Sequence, residues 1–244
     1  MDRIPFNLPE ITPTDQAYLV QAIAGGHSSG NGEFGRDSEL HLKELIGSSR
    51  VLLTTSCTHA LEMSALLCNL EPGDEVIVPS YTFVSTASAF ALYGAVPVFV
   101  DSRSDTLNID PSLVEAAITP RTRALCVVHY GGVACEMDAL INIADRHGLV
   151  LNEDNAHGLF AKYRGKFLGT FGSLATQSFH ETKNLTCGEG GALLIKDASL
   201  VERAETLREK GTNRSKFLRG QVDKYTWVDI GSSWVLSDLL AAIL

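Results

Sequence analysis

The chain has 244 residues, 45% of them hydrophobic and 20% charged, enough apolar material for a large core and too much for a disordered chain. Its 20 Lys and Arg against 29 Asp and Glu leave a net charge of −9, which argues against nucleic acid and anionic membrane surfaces as partners. No run reaches the roughly 18 apolar residues of a bilayer span, the opening MDRIPFNLPE lacks a signal-peptide pattern, and Cys57, Cys68, Cys126, Cys135 and Cys187 form no C-x-x-C pair, so a reducing cytoplasm is expected.

Residues 1–49 read as a helical arm, with helices over 15–23 and 38–46 separated by a flexible glycine-rich loop from Gly25 to Gly35. The loop holds Gly30-Asn31-Gly32-Glu33-Phe34-Gly35, which satisfies G-x-G-x-x-G. A dinucleotide fingerprint needs a preceding strand and an acidic residue about 20 positions later. Here a helix end precedes the motif and Leu52-Leu53-Thr54-Thr55 follows at that distance, so it is set aside.

From residue 50 onward, apolar runs at 51–54, 75–78, 96–100, 124–129, 149–153, 174–179 and 192–195 predict strands. Helical periodicity over 59–70, 85–93, 111–117, 137–147 and 200–210 predicts the intervening helices. This alternation predicts an α/β domain over 50–234, a three-layer α/β/α sandwich around a mainly parallel seven-stranded sheet. Arg164-Gly165 predicts a small hairpin laid on the sheet edge. Residues 235–244 read as one amphipathic helix without a stop signal, expected to expose an apolar stripe of Leu236, Leu239, Leu240 and Ile243.

Three loops at strand ends carry chemistry. Thr54-Thr55-Ser56-Cys57-Thr58-His59-Ala60 joins a strand to a helix, where backbone N–H groups and hydroxyls either hold a phosphate or simply cap the helix. Asn152-Glu153-Asp154-Asn155-Ala156-His157 places Asp154 at a strand's carboxyl end, where a carboxylate can hold a cationic nitrogen. A metal set of Glu153, Asp154 and His157 with His129 or His180 is the alternative, but no ligand spacing supports it, and no metal is expected. Ser178-Phe179-His180-Glu181-Thr182-Lys183-Asn184, followed by Gly188-Glu189-Gly190-Gly191, sets Lys183 in a crowded strand-end loop with the Ser178 hydroxyl nearby. A phosphate cradle, a carboxylate and a lysine together are what pyridoxal phosphate requires, and Pro79-Ser80-Tyr81-Thr82-Phe83 adds rings that could stack on its pyridine face.

Those segments, with Ile4-Pro5-Phe6-Asn7, Val128-His129-Tyr130 and Glu209-Lys210-Gly211-Thr212-Asn213-Arg214, resemble the DegT/DnrJ/EryC1/StrS sugar aminotransferases, fold type I enzymes of the aspartate-aminotransferase-like superfamily. Gly220-Gln221-Val222-Asp223-Lys224-Tyr225-Thr226-Trp227 and Asp229-Ile230-Gly231-Ser232-Ser233 narrow the resemblance to the branch that forms dTDP-4-amino-4,6-dideoxygalactose for enterobacterial common antigen. The resemblance implies Lys183 as the catalytic amine that takes the cofactor's aldehyde and later moves the substrate proton. It implies Asp154 on the pyridinium nitrogen, His157 and Phe83 beside the ring, and Cys57, Thr58 and Ser178 on the phosphate. Glutamate is the implied donor, a dTDP-4-keto-6-deoxyhexose the acceptor, and a homodimer the assembly, with Ser233 facing the neighbouring subunit's cofactor phosphate. Cys57, Asn155 and Ser233 depart from the glycine, alanine and asparagine common in relatives. The resemblance also implies a smaller closing domain beyond residue 244, towards which 235–244 leads, and weak or absent turnover by the 244-residue chain; the alternatives are a non-catalytic fragment that keeps the large-domain fold and another pyridoxal-phosphate sugar-modifying activity such as a dehydratase.

Overall fold

The structure, a computed structural model, describes residues 4–244, so the first three residues of the expected arm lie outside the described residues. Helices α1 (Pro13–Ala24) and α2 (Glu33–Ile46) precede β1 (Arg50–Thr54). Then come α3 (Cys57–Leu67), β2 (Glu75–Pro79), α4 (Ser85–Ala91), β3 (Val96–Val100), α5 (Pro111–Val114), β4 (Thr122–Val128), α6 (Met137–His147) and β5 (Val150–Asp154). The hairpin β6 (Lys162–Tyr163) and β7 (Lys166–Phe167) leads to β8 (Leu174–Ser178), β9 (Gly191–Ile195), α7 (Val201–Arg208), α8 (Arg214–Leu218) and α9 (Asp238–Ala241).

Seven strands form one sheet in the order β1-β9-β8-β5-β4-β2-β3. All neighbours from β8 to β3 run parallel, while β9 is inserted antiparallel to both β1 and β8. Side chains alternate between faces, and the sheet is apolar on both. On one side Val51, Leu53, Leu125 and Val127 meet α2 and α6 through Leu42, Ile46, Leu140 and Ile143. On the other, Leu52, Val76, Val78 and Leu193 meet α3, α4 and α7 through Met63, Leu61, Phe90 and Leu207. The expected three-layer α/β/α fold with a mostly parallel seven-stranded sheet is therefore what the chain adopts.

Three local expectations are corrected. The glycine-rich segment is a built seat: α2 already begins at Glu33, and the carboxylate of Asp238, 2% exposed, accepts the Gly35 N–H at 2.8 Å. A Cβ at Gly32 would lie 2.1 Å from Asp238 Oδ2, so the close approach requires glycine there. The C-terminal segment is not one helix with an exposed stripe. Val235 and Ser237 form bridges with Thr54 and Gly30, Leu236 is buried, only Asp238–Ala241 is α-helical, and Leu240 and Ile243 pack on the α2 side of the core. Backbone pairing with β1 wins over helical periodicity because it buries Leu236 beside the sheet. The hairpin pairs only with itself as a separate two-stranded sheet, its Phe167 reaching the core beside α2.

Behind the sheet end lies an ionic hub that ties the arm to the sheet. Glu39 of α2 accepts the Leu53 N–H at 3.1 Å and pairs with Arg208 at 2.5 Å and Arg50 at 2.9 Å. Arg208 also donates to the Leu53 carbonyl at 3.0 Å and to Asn31 Oδ1 at 2.8 Å, while Glu205 pairs with Arg219 at 2.8 Å. Glu39, Glu205, Arg208 and Glu209 are all buried.

Candidate active site

The carboxyl ends of β1, β5 and β8 lie together because β9 bridges the outer two: Thr54 and Ser178 both register opposite Gly191, and Asp154 opposite Thr176. The loops leaving these ends enclose a pocket of about 560 Å³, lined by Cys57, Thr58, Phe83, Asp154, His157, Ser178 and Lys183. Seven of the eight expected site residues thus converge. Ser233 does not line the pocket; it is exposed and forms a bridge with Glu209.

At one end of the pocket α3 begins. Ser56 is its N-cap and accepts the His59 N–H at 3.1 Å, so the capping reading of this serine is what occurs. Cys57 and Thr58, the first two residues of α3, line the pocket, and the first-turn N–H groups and helix dipole there favour an anion. Thr58 Oγ1 lies 2.8 Å from Ser85 Oγ. The tight backbone approach that Cys57 cannot make with glycine is made from the opposite strand. A Cβ at Gly191 would fall 2.4 Å from the Cys57 nitrogen. Burial pushes the Cys57 thiol well above its ordinary range, reinforced by the Asp154 charge and opposed by a Thr176 hydrogen bond and by Lys183, so it remains neutral at pH 7.

Asp154, 4% exposed, accepts the Thr86 hydroxyl at 2.6 Å through Oδ2 and the Ala156 N–H at 3.2 Å through Oδ1. Thr86 is itself 2.7 Å from Thr82 Oγ1, so a hydroxyl chain fixes the carboxylate from α4. Two donors leave carboxylate lone pairs for a further cationic donor. His157 Nδ1 accepts the Gly131 N–H at 3.1 Å, which assigns the ring proton to Nε2. Burial holds the His157 pKa below the usual histidine value, helped by Lys183 and opposed by Asp154. The His157 ring stands edge-on to Tyr130 at 5.1 Å, and Tyr130 lies 4.6 Å from Tyr81. A hydrogen bond to Tyr81, then burial, raises the Tyr130 phenol above its ordinary value.

Thr82, Ser85, Tyr130, His180 and Glu189, none of them assigned a cofactor role from the sequence, also line the pocket. His180 and Glu189 flank Lys183 with 3.6 Å between Nε2 and Oε1. Asn7 donates to the Glu181 carbonyl at 3.1 Å, bringing the N-terminal segment over the lysine loop. Phe83 is 69% exposed, its ring open at the pocket mouth. Glu153, weighed as a metal ligand, is instead spent on hydrogen bonds to His129 and to the backbone of the segment from Gly169 to Gly172. Among the described residues no three His, Cys, Asp or Glu side chains group as a metal would need. No helix among them is long and apolar enough to cross a membrane.

An open α/β sheet with a lysine, a carboxylate and a helix N-terminus gathered at its strand ends has the architecture of the pyridoxal-phosphate aminotransferases. The comparison with known proteins narrows this: the chain belongs to the DegT/DnrJ/EryC1/StrS aminotransferase family, whose profile matches residues 9–244. It is 37% identical over 216 residues to the spore coat polysaccharide biosynthesis protein SpsC of Bacillus subtilis, covering 88% of this chain and 55% of that protein. The fold superposes with a TM-score of 0.91 on Spr1654 of Streptococcus pneumoniae, a candidate sugar aminotransferase, in its PLP form (27% identity, 99% of this chain and 65% of that one). A PMP form of the same protein matches with the same TM-score and identity. A TM-score of 0.91 with 34% identity also relates it to 3-amino-5-hydroxybenzoic acid synthase, over 99% of this chain and 62% of that one. The chain thus spans about half the length of the curated relative and under two thirds of these structures. Pyridoxal phosphate is the family's cofactor.

Proposed function

We propose that this chain forms the cofactor-holding part of a pyridoxal-phosphate sugar aminotransferase. The observation that carries the reading is the convergence of Lys183, Asp154 and the α3 N-terminus on one pocket. The pocket fits the cofactor chemically: a helix N-terminus, a buried carboxylate with unused lone pairs and a primary amine all line it. When bound, pyridoxal phosphate supplies an electron sink and a carrier for the amino group.

The N–H groups of Cys57 and Thr58, with the Ser178 hydroxyl, hold the phosphate. Asp154 binds the protonated ring nitrogen and is kept in place by Thr86. His157, neutral with its proton on Nε2, and the Phe83 ring at the pocket mouth would lie beside the cofactor ring and help to orient it. Lys183 would be the residue that holds the cofactor's aldehyde, and its amine, when free, would be the group in the pocket able to carry a proton to and from the substrate.

In this reading residues 1–49 are an arm, 50–234 the cofactor domain and 235–244 the passage towards a smaller closing domain. Glutamate donates the amino group and a dTDP-4-keto-6-deoxyhexose accepts it, giving dTDP-4-amino-4,6-dideoxygalactose for a surface polysaccharide such as enterobacterial common antigen. Support comes from the residue-by-residue resemblance of 220–233 to that branch and from the polysaccharide role named for SpsC. The active assembly is a cytoplasmic homodimer, Ser233 approaching the partner's cofactor phosphate. The likeness to 3-amino-5-hydroxybenzoic acid synthase supports a second reading in which the acceptor is a carbocyclic ketone.

The test is a pyridoxal-phosphate titration followed by borohydride reduction and peptide mass spectrometry, with Lys183→Ala as control. A stable label on Lys183 is the expected result, and folded protein without it sinks the reading. Glutamate-dependent amination assays with a dTDP-4-keto sugar and with a carbocyclic ketone then separate the acceptors.

A further inference from the structure

Glu153 sits beside Asp154 in β5 but faces the opposite side of the sheet, as strand alternation requires. It is 0% exposed and accepts four N–H donors. Oε1 takes Phe171 at 2.8 Å and Gly172 at 2.7 Å; Oε2 takes Gly169 at 2.9 Å and His129 Nε2 at 2.9 Å. A carboxylate with every lone-pair direction occupied is an anchor, with no capacity left for a ligand.

The His129 ring, also 0% exposed, carries the anchor to the next strand. Its Nδ1 accepts the Cys135 N–H at 3.2 Å, so the ring is neutral with its proton on Nε2, donated to Glu153. Between His129 and Cys135 the chain makes the tight turn Tyr130–Gly132, closed by Gly132 N–H donating to the His129 carbonyl at 3.1 Å. This turn presents the Tyr130 ring and the Gly131 N–H to His157. Glu153, His129, the turn and His157 thus form an unbroken series of contacts from one face of the sheet to the pocket on the other.

We infer that Glu153 and His129 are positioning residues for the pocket: their buried hydrogen bond holds the Tyr130–Gly132 turn so that Gly131 fixes the orientation and tautomer of His157. The inference rests on the reading of the pocket as a cofactor site. His157 is faced by Lys183 from the loop after β8, by Asp154 from β5 and by Tyr130 from the turn after β4. A hydrogen bond donated to Nδ1 stabilises the neutral ring, so losing it raises the pKa of His157.

Two substitutions separate the bonds of His129. His129→Gln keeps a donor at the Nε2 position for Glu153, whereas His129→Asn keeps an acceptor near the Nδ1 position for Cys135 and gives up Glu153. Histidine-selective NMR titration of the cofactor-free 244-residue chain, with His157→Gln to assign the resonance, reads the outcome without catalysis. The His129→Asn protein is expected to titrate His157 about half a pH unit higher than wild type, and His129→Gln to stay close to wild type. Pyridoxal-phosphate affinity should follow the same order, weakening about tenfold in His129→Asn only, as a lost hydrogen bond of ordinary strength would give. Unchanged His157 titration in folded His129→Asn, or equal shifts in both variants, overturns the inference. If neither variant folds, the wild-type nitrogen spectrum decides: His129 and His157 must both be neutral Nε2–H tautomers, and an Nδ1–H form of either refutes the arrangement. Failure of wild type to bind pyridoxal phosphate would count against the cofactor reading alone, since the titration needs no cofactor.

Discussion

Around Arg208 nearly every strong polar group is spent inside the protein, whereas around Lys183 the strong groups have few internal partners. Glu39 takes three donors, two of them arginines, and Arg208 reaches Glu39, Leu53 and Asn31, leaving only its Nε without a partner among the described residues. Asp154 takes one hydroxyl and one N–H, and Lys183 has no ion-pair partner among the described residues. Both regions use buried carboxylates and cations. The saturated one can only hold the arm to the sheet; the unsaturated one has capacity left for a ligand.

Substitutions on the two sides should therefore fail in different currencies. The largest effect is at Lys183: Lys183→Ala abolishes the borohydride-fixed label while urea-melt stability stays within about 0.5 kcal/mol of wild type, the size expected for a partly exposed side chain without partners. Arg208→Met should do the reverse, costing about 3–5 kcal/mol in urea melts by stranding Glu39 and Asn31, with cofactor contacts intact in the surviving folded fraction. Asp154→Asn replaces the charge that meets the ring nitrogen. Its titration should show cofactor binding weakened by about 1.5–3 kcal/mol, roughly ten- to a hundredfold.

The smallest effect is the pH dependence of His157. Its folded-state pKa is depressed, chiefly by burial, so the folded protein binds this proton less readily than the unfolded chain. Stability is at its full value above the unfolded histidine value of about 6.5 and declines as pH falls from there through the lower folded value. Thermal melts of wild type and His157→Gln should differ in slope across that acid window and run parallel above it. Parallel curves throughout would remove His157 from the set of groups held neutral by the pocket.

What was legible in the sequence follows from range. Each of the seven sheet strands falls within two residues of its expected position because each is a short apolar run, six of them buried on both faces and the edge strand β3 partly exposed. The three strand-end loops were legible because lysine, carboxylate and Ser/Thr each follow such a run directly. The hub was not: Asn31, Glu39, Arg50, Glu205 and Arg208 are spread over most of the chain, and each alone looks like a surface residue. The anchoring role of Glu153 was hidden for a related reason, since its four donors come from backbone and from a histidine 24 positions away. The segment 235–244 has real helical periodicity, but Thr54 offers its backbone as a competitor and pairs with Val235 instead.

The inverted strand β9 has a consequence for how the molecule is made. Arg50 pairs with Ile195 and Thr54 with Gly191, so β1 has no sheet neighbour until β9, the last strand of the sheet in chain order, is available. Long-range strand closure of this kind slows folding and leaves an open apolar edge meanwhile. The same late strand brings Gly191 against Cys57 and unites the ends of β1 and β8. The pocket is therefore assembled only once β9 is in place, after every other strand of the sheet has been made.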